Sequence, residues 1–375
     1  MLSVQLTSLG SIGACLVMAA CGSAAPTSTG VTSGGGNHST NGGAGNGTTG
    51  GSDFVIQNTG GAVAVVDGGR PPRCDDSGNC TCINIAEFGM TGSFGAVQGQ
   101  DSSTAFQQWL NSKSNAHVDV YSTRTTITAD LLSNYDVIIL QSLSNSTSYT
   151  QQSDYWTYGD DEIAAVKDWV QNKGGAIIAL TGYFSGNSYE IGPTNQLISF
   201  SGLTFEPTDI IWDNDCPPNN STAAHGGQTC YCDGGSIPIS DWNTASPIAK
   251  NVTSVGAYRG RSINVAADAN ATVVATFYES TGDYAGKTYD VAVAAQSGSG
   301  RVFAFGDEWI TYNSQWDGST LTQSPASYTN SYDPCYEQQP QNVYQIPQLW
   351  YNSLSWCAPM VACALKIDNP YIIVN

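Results

Sequence analysis

Across 375 residues the chain carries 31 acidic and 12 basic side chains, a formal net charge of -19. Gripping a phosphate backbone takes clustered Lys and Arg, so this balance excludes nucleic acid as a partner. Only 11% of residues are charged, while Tyr (19) and Trp (9) are abundant, which suits an exported surface or one that meets partly polar ligands through rings with a polar handle.

Residues 1–21 are read as a leader. The run Leu16-Val17-Met18-Ala19-Ala20-Cys21 is apolar, ends in small residues and stops at a cysteine, the pattern of an export signal. With cysteine at the cut it resembles a bacterial lipoprotein signal. That resemblance implies a lipid on Cys21, attachment to a membrane, and, with Gly22 where an aspartate would retain it, sorting to the outer membrane. Residues 22–70 read as a Gly/Ser/Thr-rich flexible tether. Residues 22–52 hold no Asp, Glu, Lys or Arg and almost no large apolar side chain, so they bury too little to fold. Their reach is roughly 30 Å as a flexible coil. Phe54 to Val66 is expected to form a small hairpin around Asn58-Thr59-Gly60-Gly61. No apolar run after residue 21 is long enough to span a bilayer.

Residues 71–375 read as one α/β domain. Ile83-Asn84-Ile85-Ala86 is a first strand. Asp101 or Ser102 is placed to cap a helix with Phe106, Trp109 and Leu110 on one face. Val118-Asp119-Val120-Tyr121 is a second strand, and Val137-Ile138-Ile139-Leu140 has the unbroken apolar run of a parallel strand buried on both faces. Asp160-Asp161-Glu162 opens a helix whose stripe is Ile163, Val166, Trp169 and Val170. Lys173 and Gly174 close it. Ala176-Ile177-Ile178-Ala179-Leu180 is the next buried strand. Late strands follow at Val273–Phe277, Val291–Ala294 and Arg301–Phe305. Alternating strands and helices predict a parallel, flavodoxin-like sheet with helices on both faces. Two stretches lack periodicity, 206–246 and 310–360, and read as insertions stapled by disulfides.

Eleven cysteines are present. Cys15 belongs to the leader and Cys21 to the lipid, leaving Cys74, Cys80, Cys82, Cys216, Cys230, Cys232, Cys335, Cys357 and Cys363. Export favours pairing, so four disulfides are expected with one thiol left over. Local pairing is expected within the Cys74/Cys80/Cys82 and Cys216/Cys230/Cys232 groups. His225 beside the second group opens a zinc alternative, and Asp209, Asp213, Asn214 and Asp215, or Asp75, Asp76 and Asn79, a calcium one. Export and the lack of any EF-hand spacing argue against both, so no metal and no cofactor is expected.

The series Tyr135-Asp136-Val137-Ile138-Ile139-Leu140, Glu162 to Val170, and Lys173-Gly174-Gly175-Ala176-Ile177-Ile178-Ala179-Leu180 resembles the class I glutamine amidotransferase-like superfamily. It is closest in pattern to the non-amidotransferase branch that includes trehalose-utilisation-type proteins. Gly300 to Asp307 and Ser246-Pro247-Ile248-Ala249 are similar to that branch's late segments. The resemblance implies a nucleophilic cysteine on the turn after Ala176–Leu180 and a histidine after the last strand. Here those places hold Thr181-Gly182-Tyr183 and Gly306-Asp307-Glu308-Trp309. Amide cleavage by a thiolate needs both sulfur and base, so the residues do not support cysteine amidase chemistry.

Open α/β sheets bind ligands at the carboxyl ends of their strands. Those ends present Glu87, Gln141, Ser142, Thr181, Tyr183, Asp307 and Glu308. Gln141, Ser142, Thr181, Tyr183 and Asp307 are the candidate ligand contacts; Glu87, Asp307 and Glu308 are the carboxylates available for acid–base chemistry. The plainer alternative has Asp307 capping the next segment and Glu308 solvated. Gly89-Met90-Thr91-Gly92 lacks the spacing of a phosphate loop, and no Gly-x-Ser-x-Gly elbow exists. Arg259-Gly260-Arg261 is expected to serve an internal ion pair rather than a ligand. The expected protein is an exported, lipid-anchored surface protein with a catalytically degenerate domain that binds or scaffolds, its ligand a carbohydrate or cell-surface group. The alternative is a hydrolase acting on a carbohydrate or cell-wall substrate through paired carboxylates.

Overall fold

The computed structural model describes residues 73–74, 78, 80–89, 103–145, 151–181, 188–210, 237–257, 260–279, 286–316, 345–358 and 363–374, all within the compact unit Gln57–Asn375. Cys21, the tether, the 54–66 hairpin, Tyr183, His225, Arg259, Asp213 to Asp215, Cys216, Cys230, Cys232 and Cys335 lie outside them. In chain order the strands are β1 (Arg73–Cys74), β2 (Cys80–Thr81), β3 (Ile83–Phe88), β4 (Ala116–Tyr121), β5 (Val137–Leu140), β6 (Ala176–Leu180), β7 (Leu203–Asp209), β8 (Ile237–Ile239), β9 (Asp241–Trp242), β10 (Val255–Ala257), β11 (Arg261–Val265), β12 (Ala271–Glu279), β13 (Lys287–Ser297) and β14 (Gly300–Phe305). The helices are α1 (Thr104–Lys113), α2 (Ala129–Leu132), α3 (Asp160–Lys173), α4 (Ile191–Ile198), α5 (Asn313–Trp316) and α6 (Ile346–Cys357).

The chain is an α/β protein. Its eight-stranded sheet runs β4-β3-β5-β6-β14-β13-β12-β9. The first five strands are parallel; taken in chain order they are second, first, third, fourth and fifth, the flavodoxin-like arrangement. The last three turn antiparallel. The cause is local: Ser297 pairs with Gly300 across a two-residue turn, with Gly298 at φ 59. A two-residue turn can only reverse the chain, whereas a parallel return needs a crossover.

Side chains alternate across each strand, and the sheet divides two cores. Ile83, Ile85, Val137, Ile139, Ile178, Phe303 and Phe305 pack with Phe106 and Leu110 of α1 and Leu349, Trp350 and Leu354 of α6. Ala86, Ile138, Leu140, Ile177, Ala179 and Ala304 pack with Val166, Trp169 and Val170 of α3 and Leu197 of α4. Each Ile or Val so buried stabilises by about 1.5–3 kcal/mol. β5 and β6 are buried along their whole length, as unbroken apolar runs require.

α3 opens where its acidic turn predicted. Glu162 accepts from the Gly159 amide (3.1 Å) and the Ile127 amide (2.8 Å), and lies 2.5 Å from Arg124 Nη2. Burial pushes its carboxyl up, but the Arg124 bond and the backbone donors outweigh this and hold it below the ordinary range. Gly174 closes the helix in the left-handed region, φ 73. α1 begins later than Asp101 or Ser102 implied: Ser103 stands at its N-cap but makes no capping bond with its side chain.

The stretch 310–360 is not simply an insertion, since α6 lies within it. α6 escapes sequence reading because Gln348, Asn352 and Ser353 interrupt its apolar stripe. All three are buried and satisfied: Gln348 Oε1 accepts from the Ile373 amide, Asn352 donates to the Ile248 and Lys250 carbonyls, and Ser353 donates to the Leu349 carbonyl.

Two disulfides stand among the described residues. Cys74–Cys80 joins β1 to β2, local as expected. Cys82 does not pair locally; it bonds Cys363, 281 residues away. That bond lies beside a clasp in which the Asn115 amide donates to the Lys366 carbonyl and the Asp368 amide to the Lys113 carbonyl. Cys357, one of the nine cysteines of which one was expected to stay a thiol, is a buried free thiol in the last turn of α6. No described helix is long and apolar enough to cross a membrane.

Candidate functional site

The parallel strands end in register, Phe88 beside Tyr121 and Leu140. Gln141 follows β5 directly, and its amide donates to the Phe88 carbonyl at 3.0 Å. Gly89 must be glycine: its φ is 117, and an added Cβ would lie 1.5 Å from the Gln141 carbonyl oxygen. Ser142 takes a left-handed φ of 42, which few non-glycine residues adopt.

On the α1 side of the sheet these ends carry a buried polar cluster. Glu87 is fully buried, and Gln107 of α1 donates to its Oε2 at 2.9 Å. Gln141, also fully buried, donates from Nε2 to Thr311 Oγ1 (2.8 Å) and Ser103 Oγ (3.3 Å). Ser103 Oγ donates to Thr311 Oγ1 (3.0 Å), which donates to the Glu308 carbonyl (2.8 Å). Glu308 is buried as well, and Tyr312 donates to its Oε1. Three buried acceptor oxygens in this group have no partner: Glu87 Oε1, Gln141 Oε1 and Glu308 Oε2. Native proteins satisfy nearly all such atoms, so each open one stands out.

Burial pushes the Glu87 carboxyl up to about 8, the Gln107 bond offsetting part of the rise. Burial likewise raises Glu308 to about 7 against the lowering effect of Tyr312. Each shift comes from the residue's own burial and its own hydrogen bond.

Of the residues expected at the strand ends, Gln141 and Glu87 meet α1, and Gln141 is tied through Thr311 to the backbone of Glu308. Thr181 follows β6 and is buried. Asp307 Oδ1 accepts from the Trp309 amide at 2.9 Å, so it caps the 3-10 turn Trp309–Thr311. Glu308 is not solvated as the plainer alternative had it; the turn folds it inward. Sequence reasoning missed Ser103, Gln107, Thr311 and Tyr312. Gln107 had a signal, a polar residue next to Phe106 and one turn before Leu110 on a core-facing helix. Thr311 and Tyr312 had none, because their partners are fixed only by the tertiary fold.

Arg261 is buried behind the same segment. Its backbone amide donates to the Gly306 carbonyl at 2.7 Å. Its Nε and Nη2 meet Glu190 Oε1 at 2.6 and 2.5 Å, and Nη1 donates to the Pro207 carbonyl. This is the internal ion pair expected for the Arg-Gly-Arg stretch. His117 sits half exposed on β4, 3.1 Å from Asp119. Among the described residues no three His, Cys, Asp or Glu side chains come together to hold a metal ion.

No family model matches the chain, and no curated protein matches it. Among solved structures it is similar to the cytoplasmic protein STM1381 of Salmonella typhimurium LT2, with TM-score 0.44 and 13% identity over 74% of this chain and 100% of that one. STM3548 of Salmonella typhimurium follows with TM-score 0.40 and 13% identity, covering 73% and 98%. A ThuA-like protein of Bacteroides uniformis gives TM-score 0.37 and 14% identity, covering 61% and 82%. All three scores lie below 0.5.

Proposed function

We propose that this protein is exported, anchored to the cell envelope through a lipid on Cys21, sorted to the outer membrane, and held off the membrane by residues 22–70. Its α/β domain is an amidotransferase-like scaffold without amidase chemistry, and it binds a carbohydrate or cell-surface ligand at the carboxyl ends of β3 and β5. One observation carries this reading: Glu87, Gln141 and Glu308 each keep a buried, unpartnered oxygen at the end of the sheet where such folds take ligands. An oxygen buried without a partner costs about 1–3 kcal/mol, a cost that a hydrogen-bonding ligand removes. The disulfides and the few charged side chains support export. Thr181 at the place of the nucleophile, with no histidine after β14, supports the loss of amidase activity.

A second reading, hydrolysis of a carbohydrate or cell-wall substrate, is favoured by Glu87 and Glu308 being raised to about 8 and about 7, the range of a general acid at neutral pH. It ranks second because each shift arises separately rather than from a coupled pair.

The test is an oligosaccharide screen on the intact protein, scored for both binding and cleavage, with glutamine as a control substrate. Saturable binding without turnover supports the binding domain. Cleavage lost in Glu308→Gln or Glu87→Gln promotes the hydrolase. Glutamine turnover, or a native protein with an unlipidated Cys21, overturns the corresponding part of the proposal.

A further inference from the structure

The hydroxyls around Gln141 fix which way its amide points. Thr311 Oγ1 gives its single proton to the Glu308 carbonyl, and Ser103 Oγ gives its proton to Thr311 Oγ1. Both oxygens can then only accept from Gln141. The amide nitrogen faces them, and the carbonyl oxygen faces away without a partner. At Glu87, Gln107 donates to Oε2, so a proton held by this carboxyl sits on Oε1.

Titratable side chains on the surrounding elements are few. α1 brings Lys113, exposed at its far end. β4 brings His117 and Asp119, which pair with each other, and Tyr121, which bonds Tyr135. The segment after β14 brings Asp307, whose Oδ1 accepts from the Trp309 amide, and Glu308 with its partner Tyr312. β5 brings none. Among the described residues no cation bonds Glu87, and a fully buried carboxyl without one keeps its proton. Glu87 faces Ile139 across the β3–β5 ladder, and Gln141 stands two residues farther on the same face, so this end of the sheet offers an acidic O–H and a bare amide carbonyl. A hydroxyl group both accepts and donates; an ammonium only donates and a carboxylate only accepts.

We propose that Glu87 and Gln141 together recognise a neutral hydroxyl group, Glu87 Oε1–H donating to the ligand oxygen and that hydroxyl's proton going to Gln141 Oε1. This rests on the binding reading of the same site and narrows its ligand to a neutral polyol or oligosaccharide, against amines and acids. Binding is then strongest while Glu87 is protonated and weakens as pH climbs past about 8.

The experiment is calorimetric titration of neutral cello-, malto- and chito-oligosaccharides into the full chain from pH 6 to 9.5, with Glu87→Gln in parallel. Glutamine's amide N–H stands in for the acid O–H. Wild-type affinity should fall roughly tenfold per pH unit above about 8, while Glu87→Gln binds with a flat profile. Gln141→Met, which keeps the bulk and removes the acceptor, should weaken binding about tenfold at pH 6 without moving the pH midpoint. Affinity that rises with pH, loss of binding in a folded Glu87→Gln, or full affinity in Gln141→Met overturns the proposal and leaves the carbohydrate reading standing. If no oligosaccharide binds wild type or variant at any pH, the binding reading itself fails and takes the proposal with it.

Discussion

Arg261 and Glu87 are both sealed from solvent beside the same sheet, and they are built on opposite terms. The Arg261 guanidinium is held on three nitrogens, by Glu190 and by the Pro207 carbonyl. Glu87 has one donor, Gln107, and an open oxygen. A buried charge that is fully answered holds structure; a buried acid that is half answered lowers stability, and a ligand can recover the loss. Gly306 links the two clusters: its carbonyl accepts from Arg261, and the residues after it lead into Thr311. The paired side thus supports the backbone that positions the open side.

The contrast is sharpest in its pH dependence. Glu87 is raised from 4.5 to about 8, so the folded chain keeps a proton that the unfolded chain gives up. Between those values the native state binds more protons, and stability falls as pH rises, by up to about 1.4 kcal/mol per pH unit. Below 4.5 the effect is absent, and above 8 it is complete. Glu87→Gln should flatten this slope in denaturant titrations run across the window; an unchanged slope would mean that Glu87 is not the acid responsible. Glu308 adds the same sign over the narrower window from 4.5 to about 7.

Breaking the answered charge comes next. Arg261→Met strands the Glu190 carboxylate and should cost about 3–5 kcal/mol. Adding Glu190→Leu should recover most of it. A single variant with wild-type stability would show the pair to be dispensable. A smaller loss is expected from Thr311→Val, which removes the acceptor of Gln141 and Ser103 and should cost about 1–3 kcal/mol by thermal unfolding. Because it frees the Gln141 amide to rotate, it should also weaken oligosaccharide binding, and a loss of stability alone would separate the network from the site. Ser103→Ala should cost about 1 kcal/mol, the least of the series, since Gln141 keeps Thr311.

Much of the fold was legible in the chain. β5 and β6 announce themselves as unbroken apolar runs, and α3 by its acidic first turn and closing Lys173-Gly174. α6 was not, because Gln348 and Asn352 look like surface residues until their backbone partners arrive from Ile248, Lys250 and Ile373. The antiparallel half hinges on Gly298-Ser299, a turn signal too short to reveal that β13 extends to eleven residues. At the site, rules about strand ends pointed to Gln141 and Glu87. They could not foresee that α1 would lend Gln107 and Ser103, or that the turn capped by Asp307 would fold Glu308 inward. Those contacts join residues up to 208 positions apart, and only tertiary packing sets them.

The bond between Cys82 and Cys363 closes a covalent ring around nearly the whole domain. Any single peptide cut between residues 82 and 363 leaves two fragments that migrate as one molecule until a reductant is added. A single nick inside this ring therefore leaves one covalent piece, and parting its two halves takes a reductant.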